Sequence, residues 1–404
     1  MNDLRHHRDF RRLWAAQTGS AFGSRITRTA VPVIAVKLLH ASPAALGLLS
    51  ALSVGPGAVI GLFAGGPVDR RPKRPILVAA DLLRAALVLS VPVAAWTWGL
   101  SLVHLAIVTT LAGAATTLFD IADRAYLPSI VGRGLLAAGN GKLQTTDSLA
   151  EIAGPGLAGF LIDLVTAPVA MIVDAASYVW SALLLATLRE DGRPETETGA
   201  TSGLGGDLRA GLTATLGHPV VRPLLLATAT STFFSGFFLA LYMAFALDTL
   251  AISPRTIGLV IGVGGIGGLL GAIAAPRLPA RLGLGPTLIL ALAVGQCAGL
   301  LIPLARGERP VVLACLAGHQ LVGDGFTMVF LVHAVSLRQR VLPIAVQGRA
   351  GATFAMTTGL LLPAGALLAG AIGSAIGVRA TLWIGMCGGL ASPLFLIGLR
   401  DLRE

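Results

Sequence analysis

Long apolar runs separated by brief polar breaks organise this chain. Twelve runs reach the roughly 20 residues that a helix needs to cross a bilayer. They cover 13–39, 44–66, 75–98, 101–122, 143–165, 168–188, 223–247, 255–276, 285–305, 310–334, 348–372 and 378–399. Several breaks are very short, such as Trp98 to Ser101 and Val165 to Pro168, so the helices they join must run antiparallel. One break is different. Residues 189–218 read REDGRPETETGATSGLGGDLRAGLTATLGH, polar and rich in Gly and Thr. This predicts two six-helix halves, 1–188 and 219–404, joined by a linker at 189–218. Within the linker Leu204, Leu208, Leu212 and Leu216 recur every fourth residue, the mark of an amphipathic helix lying on the inner membrane surface.

Composition agrees. Of 404 residues 54% are hydrophobic and only 12% charged, whereas soluble proteins carry about 25% charged residues. The 51 glycines suit close helix packing in lipid. The class is an all-α membrane protein in a lipid bilayer. The first run is too long for a cleaved signal peptide and reads as a retained helix. The net charge of +10 raises nucleic acid as a partner, but its placement excludes one. Of 30 Lys and Arg residues, 22 fall on one side, at the termini and alternate breaks, five (Lys37, Arg255, Arg306, Arg309 and Arg379) fall at the opposite side, and three (Arg25, Arg28 and Arg84) lie within spans. That asymmetry sets orientation and puts both termini in the cytoplasm. Cys297, Cys315 and Cys387 each lie in an apolar run, with no metal or disulfide spacing.

Charge concentrates most tightly in GGPVDRRPKR, 65–74, between the second and third runs. Gly65, Asp69, Arg70, Lys73 and Arg74 resemble the signature G-x-x-x-D-[RK]-x-G-[RK]-[RK] of the major facilitator superfamily, with Pro72 where that family usually has Gly. Further stretches are similar to its drug-efflux branch, related to macrolide and enterobactin exporters. These are YLPSIV (126–131), GNGKLQTTDSLAEIAGPGLAGFL (139–161), VDAASYVWSALLL (173–185), HPVVRPLLL (218–226) and QGRAGATFAMTTGLLLPAGALLAG (347–370). The resemblance implies the major facilitator fold: twelve transmembrane helices in two pseudo-symmetric six-helix bundles. It also implies proton antiport. It further implies that Asp69 contacts the positive N-terminus of the eleventh helix, near Gly348 and Arg349, and holds the cytoplasmic side shut. The branch often has an acid in the first helix, but here AFGSRITRTA (21–30) offers Ser24 and Arg25 instead.

Ionisable groups inside a span are costly and normally face a cavity or a partner. Arg25 and Arg28 share a face of the first helix, as do Asp147 and Glu151 on the fifth. Glu151 stands about nine residues from its span's start, roughly 13 Å in at 1.5 Å per residue, which is near the depth of Arg25. The resemblance implies that the first and fifth helices lie close together in the same half, so Glu151 or Asp147 is expected to neutralise Arg25 or Arg28, either as a proton- or substrate-responsive site or as a fixed structural pair. Asp120 and Asp123, at the inner end of the fourth helix, either pair with Arg70 or Arg74 or cap that helix. Asp81 and Arg84 read as a local pair near the inner surface. In the second half Asp324 lies between Gly323 and Gly325, as a coupling group or a bonding partner for a neighbouring helix. Gln17, Gln296, His319 and Gln320 line a cavity or tie helices together. The run FFSGFFLALYMAF (233–245) is an apolar cavity lining or core.

GVGGIG (262–267) matches a dinucleotide fingerprint literally. No strand precedes it, and Leu282 stands where an acid is wanted. It reads as close helix packing, through Gly264/Gly268 and Gly267/Gly271. No phosphate-binding G-x-x-x-x-G-K-[ST] occurs, so the energy must come from an ion gradient or from the substrate's own gradient. The expectation is a monomeric secondary transporter of a bacterial inner membrane. It has no cofactor, is not an enzyme, and exchanges protons for a drug or secondary metabolite. Two alternatives stand beside it: export of an anionic siderophore or carboxylated natural product, and a non-transporting membrane sensor.

Overall fold

The predicted runs fold as helices, and most continue past the stretch that hydropathy marks. The computed structural model describes Leu4, residues 7–189 and residues 204–402, excepting the side chains of Leu62, Gly65, Asp69, Arg133, Leu204, Gly205, Asp207 and Leu208. Residues 190–203 of the linker, and the Gly65, Asp69, Leu204 and Leu208 side chains, thus lie outside the described residues. In chain order the helices are α1 (Arg8–Val33, extended by a wide π turn Ile34–Leu38), α2 (Pro43–Asp69), α3 (Lys73–Trp96), α4 (Leu102–Gly132), α5 (Gly134–Val165) and α6 (Ala167–Ala186). Then follow α7 (Leu204–Leu216), α8 (Val221–Thr249), α9 (Pro254–Arg277), α10 (Leu284–Leu304), α11 (Arg309–Val341), α12 (Ile344–Ile376) and α13 (Val378–Leu399). Among the described residues, eleven helices are long and apolar enough to span a membrane. The first span, α1, is not among them, because Gln17, Arg25 and Arg28 lower its apolarity. Its 26 residues still give a rod of about 39 Å at 1.5 Å per residue. The twelve-helix architecture holds.

Two connections differ from expectation. The break between the runs 101–122 and 143–165 is helical: α4 runs on to Gly132, and α5 begins two residues later. Gly132 makes the corner with φ 67° and ψ 169°, a region that glycine enters freely. Likewise α12 starts at Ile344, a turn before Gly348. Leu342 is extended (φ −99°, ψ 138°), as a residue before proline tends to be, and Pro343 follows at φ −55°. Hydropathy sees only the lipid-embedded part of a helix, whereas the backbone bonds continue until a residue breaks them.

The second half repeats the first at one constant separation. Pro43 and Pro254 open corresponding helices, and the π turns 34–38 and 245–249 correspond. His40 and Ala251, both at positive φ, also correspond. So do Thr166 (φ 95°) and Gly377 (φ 87°), and Gly132 and Pro343.

Two compact units are present, residues 1–41, 52–198 and 252–259 in one and 42–51, 199–251 and 260–404 in the other. In the first, α6 packs against both α1 and α3, and α4 packs against α3. Phe10, Leu13, Leu77, Tyr126 and Leu185 form a buried core. In the second, α8 packs against α12 and α13, and α10 against α11, with Leu224, Leu288, Phe330, Leu337 and Leu396 buried together. Apolar burial drives little here, since lipid is as apolar as leucine; close contact does the work. Gly264, Gly267 and Gly271 of α9 accordingly lie against Asp324, the Gln320 and Leu321 carbonyls, and Gly325 of α11. The GVGGIG stretch is thus a helix-packing face. In α7 the face with Gly211 and Thr215 is buried against α12, while Leu212 and Leu216 point outward, 43% and 40% exposed.

Candidate functional site

The charged turn after α2 is compact. Arg70 N–H bonds to Gly66 O and Arg71 N–H to Val68 O. Pro72 then turns the chain at φ −55°, ψ 132°. This is a normal proline conformation, so glycine is not required here. Lys73 is buried and donates to Arg71 O at 2.8 Å. Arg74 donates to Leu188 O at 2.6 Å and Arg12 to Thr187 O at 2.7 Å. Two arginines thus satisfy carbonyls just past the C-terminal end of α6, where cations are favoured. Arg70 and Arg349 are exposed.

Further into the first unit, α1 meets α5. Arg25 lies flat on Gly154, where an added Cβ would come within 2.6 Å of its Cγ. From there its Nη2 reaches Glu151 Oε2 at 2.6 Å. The Arg25 side chain is 16% exposed and that of Glu151 59%. Asp147 and Arg28 are exposed nearby, Asp147 within electrostatic reach of Arg25 and Arg28 within reach of Asp120. About two turns inward along α1, Gln17 donates to Asp123 Oδ1 of α4, while Asp120 is exposed. Trp14 Nε1 donates to Thr146 Oγ1 at 2.9 Å. The structure thus gathers Gln17, Arg25, Arg28, Asp120, Asp123, Asp147 and Glu151 on α1, α4 and α5. Arg124 of α4 also reaches Asp120 and Asp123, so four acids are set against three arginines beyond the Asp81–Arg84 pair.

Two buried acids stand behind this surface. Asp81 and Arg84 of α3 form an ion pair with 0% and 4% exposure. The Arg84 guanidinium lies 4.3 Å from the Phe119 ring centre and 4.5 Å from that of Tyr178. The i,i+3 spacing showed the pair, but not its depth in the bundle. Asp174 of α6 is also fully buried and accepts from Thr27 of α1. It escaped the sequence reading, although Asp174 and Ser177, three apart, share a helix face. Replacing Gly23 by Ala should weaken folding by about 1–3 kcal/mol, because the new Cβ would lie 2.7 Å from Asp174 Oδ1 and 2.8 Å from Ser177 Cβ. A lower thermal unfolding midpoint in detergent checks this.

In the second unit Asp324 is half-buried beside Gly264, with Gln320 directing Nε2 to Ile261 O at 3.5 Å. His319 opens the π turn that precedes Asp324, and its ring centre is 5.6 Å from that of Phe238. Phe238 stacks on Tyr242 at 4.5 Å. Gln296 donates to Ser231 Oγ at 2.7 Å, tying α10 to α8. Phe237 belongs to the core.

A family model, the Major Facilitator Superfamily, matches residues 13–338. The chain belongs to that superfamily. Among its relatives is the multidrug efflux pump Tap of Mycolicibacterium fortuitum, 27% identical over 402 residues, which cover 96% of this chain and 93% of that protein. Tap of Mycobacterium tuberculosis is 27% identical over 364 residues, 85% of this chain and 80% of that one. A bacterial homologue of the iron transporter ferroportin, in its inward-facing state, shares the fold with a TM-score of 0.77 at 18% identity, covering 98% and 99% of the two chains. The nucleoside transporter NupG does so with a TM-score of 0.73 at 14% identity over the whole of both. This member of the superfamily is a multi-pass membrane transporter of small molecules and not an enzyme.

Proposed function

We propose that the protein is a proton-coupled exporter of drugs or secondary metabolites working by alternating access. The observation that carries the reading is the Arg25–Glu151 ion pair between α1 and α5. Its acid is exposed, and Arg25 Nε is buried without an acceptor. A pair held this incompletely is suited to opening when Glu151 takes a proton. The relatives named multidrug efflux pump support the export direction and a broad substrate range. The excess of four acids over Arg25, Arg28 and Arg124 favours a cationic or neutral substrate over an anionic one. Each proton entering down the membrane potential supplies about 2.3 kcal/mol per 100 mV.

In this reading the halves 1–188 and 219–404 move about the linker 189–218, with both termini in the cytoplasm of a bacterial inner membrane and the protein acting as a monomer. The charged turn of Gly65, Asp69, Arg70, Lys73 and Arg74 latches the inner side, with Asp69 directed at the start of α12 near Arg349. Asp324 and His319 contribute to the substrate path of the second half.

Glu151→Gln tests the reading. In liposomes with an imposed pH gradient, the variant should lose uphill dye transport while downhill equilibration persists. Unchanged gradient-driven transport would end the coupling role of Glu151.

A further inference from the structure

We propose that Asp174, deep in α6, is a proton-binding site of this transporter. The proposal rests on the proton-coupled reading above and assigns it a residue. Asp174 stands seven residues into α6, about 10 Å along it at 1.5 Å per residue, with 0% exposure. Thr27 donates its hydroxyl hydrogen to Oδ2. Ser177 Oγ lies 2.8 Å from the Asp174 carbonyl and 3.2 Å from Oδ1. A serine hydroxyl has one hydrogen to give. With that hydrogen on the nearer carbonyl, Oδ1 faces only a lone pair. The hydrogen count closes when Asp174 is protonated: the Oδ1–H bond forms, and Ser177 Oγ accepts from it. The proton comes from water and returns to water, and no other bond changes.

Charge bookkeeping leads to the same place. On α1, Arg25 is engaged by Glu151, and Arg28 is exposed within reach of Asp120. Past Asp9, α1 carries no acid of its own. On α3, Arg84 is taken by Asp81. The charges that reach Asp174 are Arg84 and Asp81 of α3; Arg124 of α4 acts on Asp120 and Asp123, and on α6 itself Tyr178 is neutral. Asp174 forms no ion pair among the described residues, and Arg84, whose charge reaches it, is already paired with Asp81. A buried carboxylate without a cation of its own is strongly disfavoured unless it is neutralised. At Gly23 the backbone of α1 closes over Oδ1, where even a Cβ would stand 2.7 Å away. The proton therefore exchanges only when α1 and α6 part there, which links protonation to helix movement.

Infrared spectroscopy of the purified full-length protein tests this directly. At neutral pH the wild type should show the carbonyl stretch of a protonated carboxylic acid, shifted in heavy water. Asp174→Asn should remove that band, and Glu151→Gln should leave it. Thr27→Val, which deletes a donor to the ionised form, should keep the band to higher pH, a shift that a purely structural carboxylate would not show. A band unchanged in Asp174→Asn, or a titration unmoved in Thr27→Val, overturns the proposal. Ethidium-loaded liposomes separate this from the wider reading. If a pH gradient fails to drive ethidium in the wild type, proton-coupled export fails while the Asp174 band can still stand. If the gradient drives the wild type and Asp174→Asn equally, the Asp174 assignment fails alone.

Discussion

Asp81→Ala should lower the stability of the folded protein by about 3–5 kcal/mol, as removal of one partner from a buried ion pair does. The loss comes mainly from what remains. Arg84 is 4% exposed, and its charge would be left between two aromatic rings with its carboxylate gone. Cation–π contact with Phe119 and Tyr178 is worth about 2 kcal/mol when desolvated, so it cannot offset the unpaired charge. The measurement is the thermal unfolding midpoint in detergent, with Asp81→Ala and Arg84→Met made singly and together. The double variant should recover much of the loss, because no unpaired charge is then buried. An additive double variant would show that the pair acts through shape and not charge.

Gly236→Ala should weaken folding by about 1–3 kcal/mol, the usual penalty of overpacking. The added Cβ on α8 would lie 2.6 Å from Ala366 N and 2.8 Å from Gly365 C of α12. Both are backbone atoms, so no side chain can swing aside and the helices themselves must separate. Gly268→Ala is the control. Its Cβ would meet only Met328 Cε at 4.0 Å, and the gain in helix propensity, up to about 1 kcal/mol, should leave stability equal or better. The yield of monodisperse protein after heating separates the two. Equal tolerance at both sites would contradict the backbone contact between α8 and α12.

The spans were legible because lipid demands runs of about 20 apolar residues and little else competes with that signal. Their ends were not, because α4 and α12 extend beyond the apolar run and stop only at Gly132 and Pro343. The Arg25–Glu151 contact could be anticipated from depth together with the family resemblance, since a helix rises uniformly and the resemblance sets the first and fifth helices side by side. Asp123 was read as a partner for the charged turn or as a cap, and the structure sets it against Gln17, a neutral residue with no charge signal to announce it. Asp174 was missed for a similar reason. Its partners are hydroxyls on two helices, and Ser and Thr are too common in spans to mark a site by themselves.

The π turn His319–Gly323 gives α11 an extra residue in one coil. Each residue of a regular helix advances the phase by about 100°, so the two ends of this rod are clocked differently from those of a straight one. Were the coil to tighten, everything from Asp324 to Val341 would swivel by about that angle against its neighbours. The carboxylate that now rests beside Gly264 would then sweep to another quarter of the bundle. One rod of the second unit thus carries its own rotary register, independent of any tilting of the bundle as a whole.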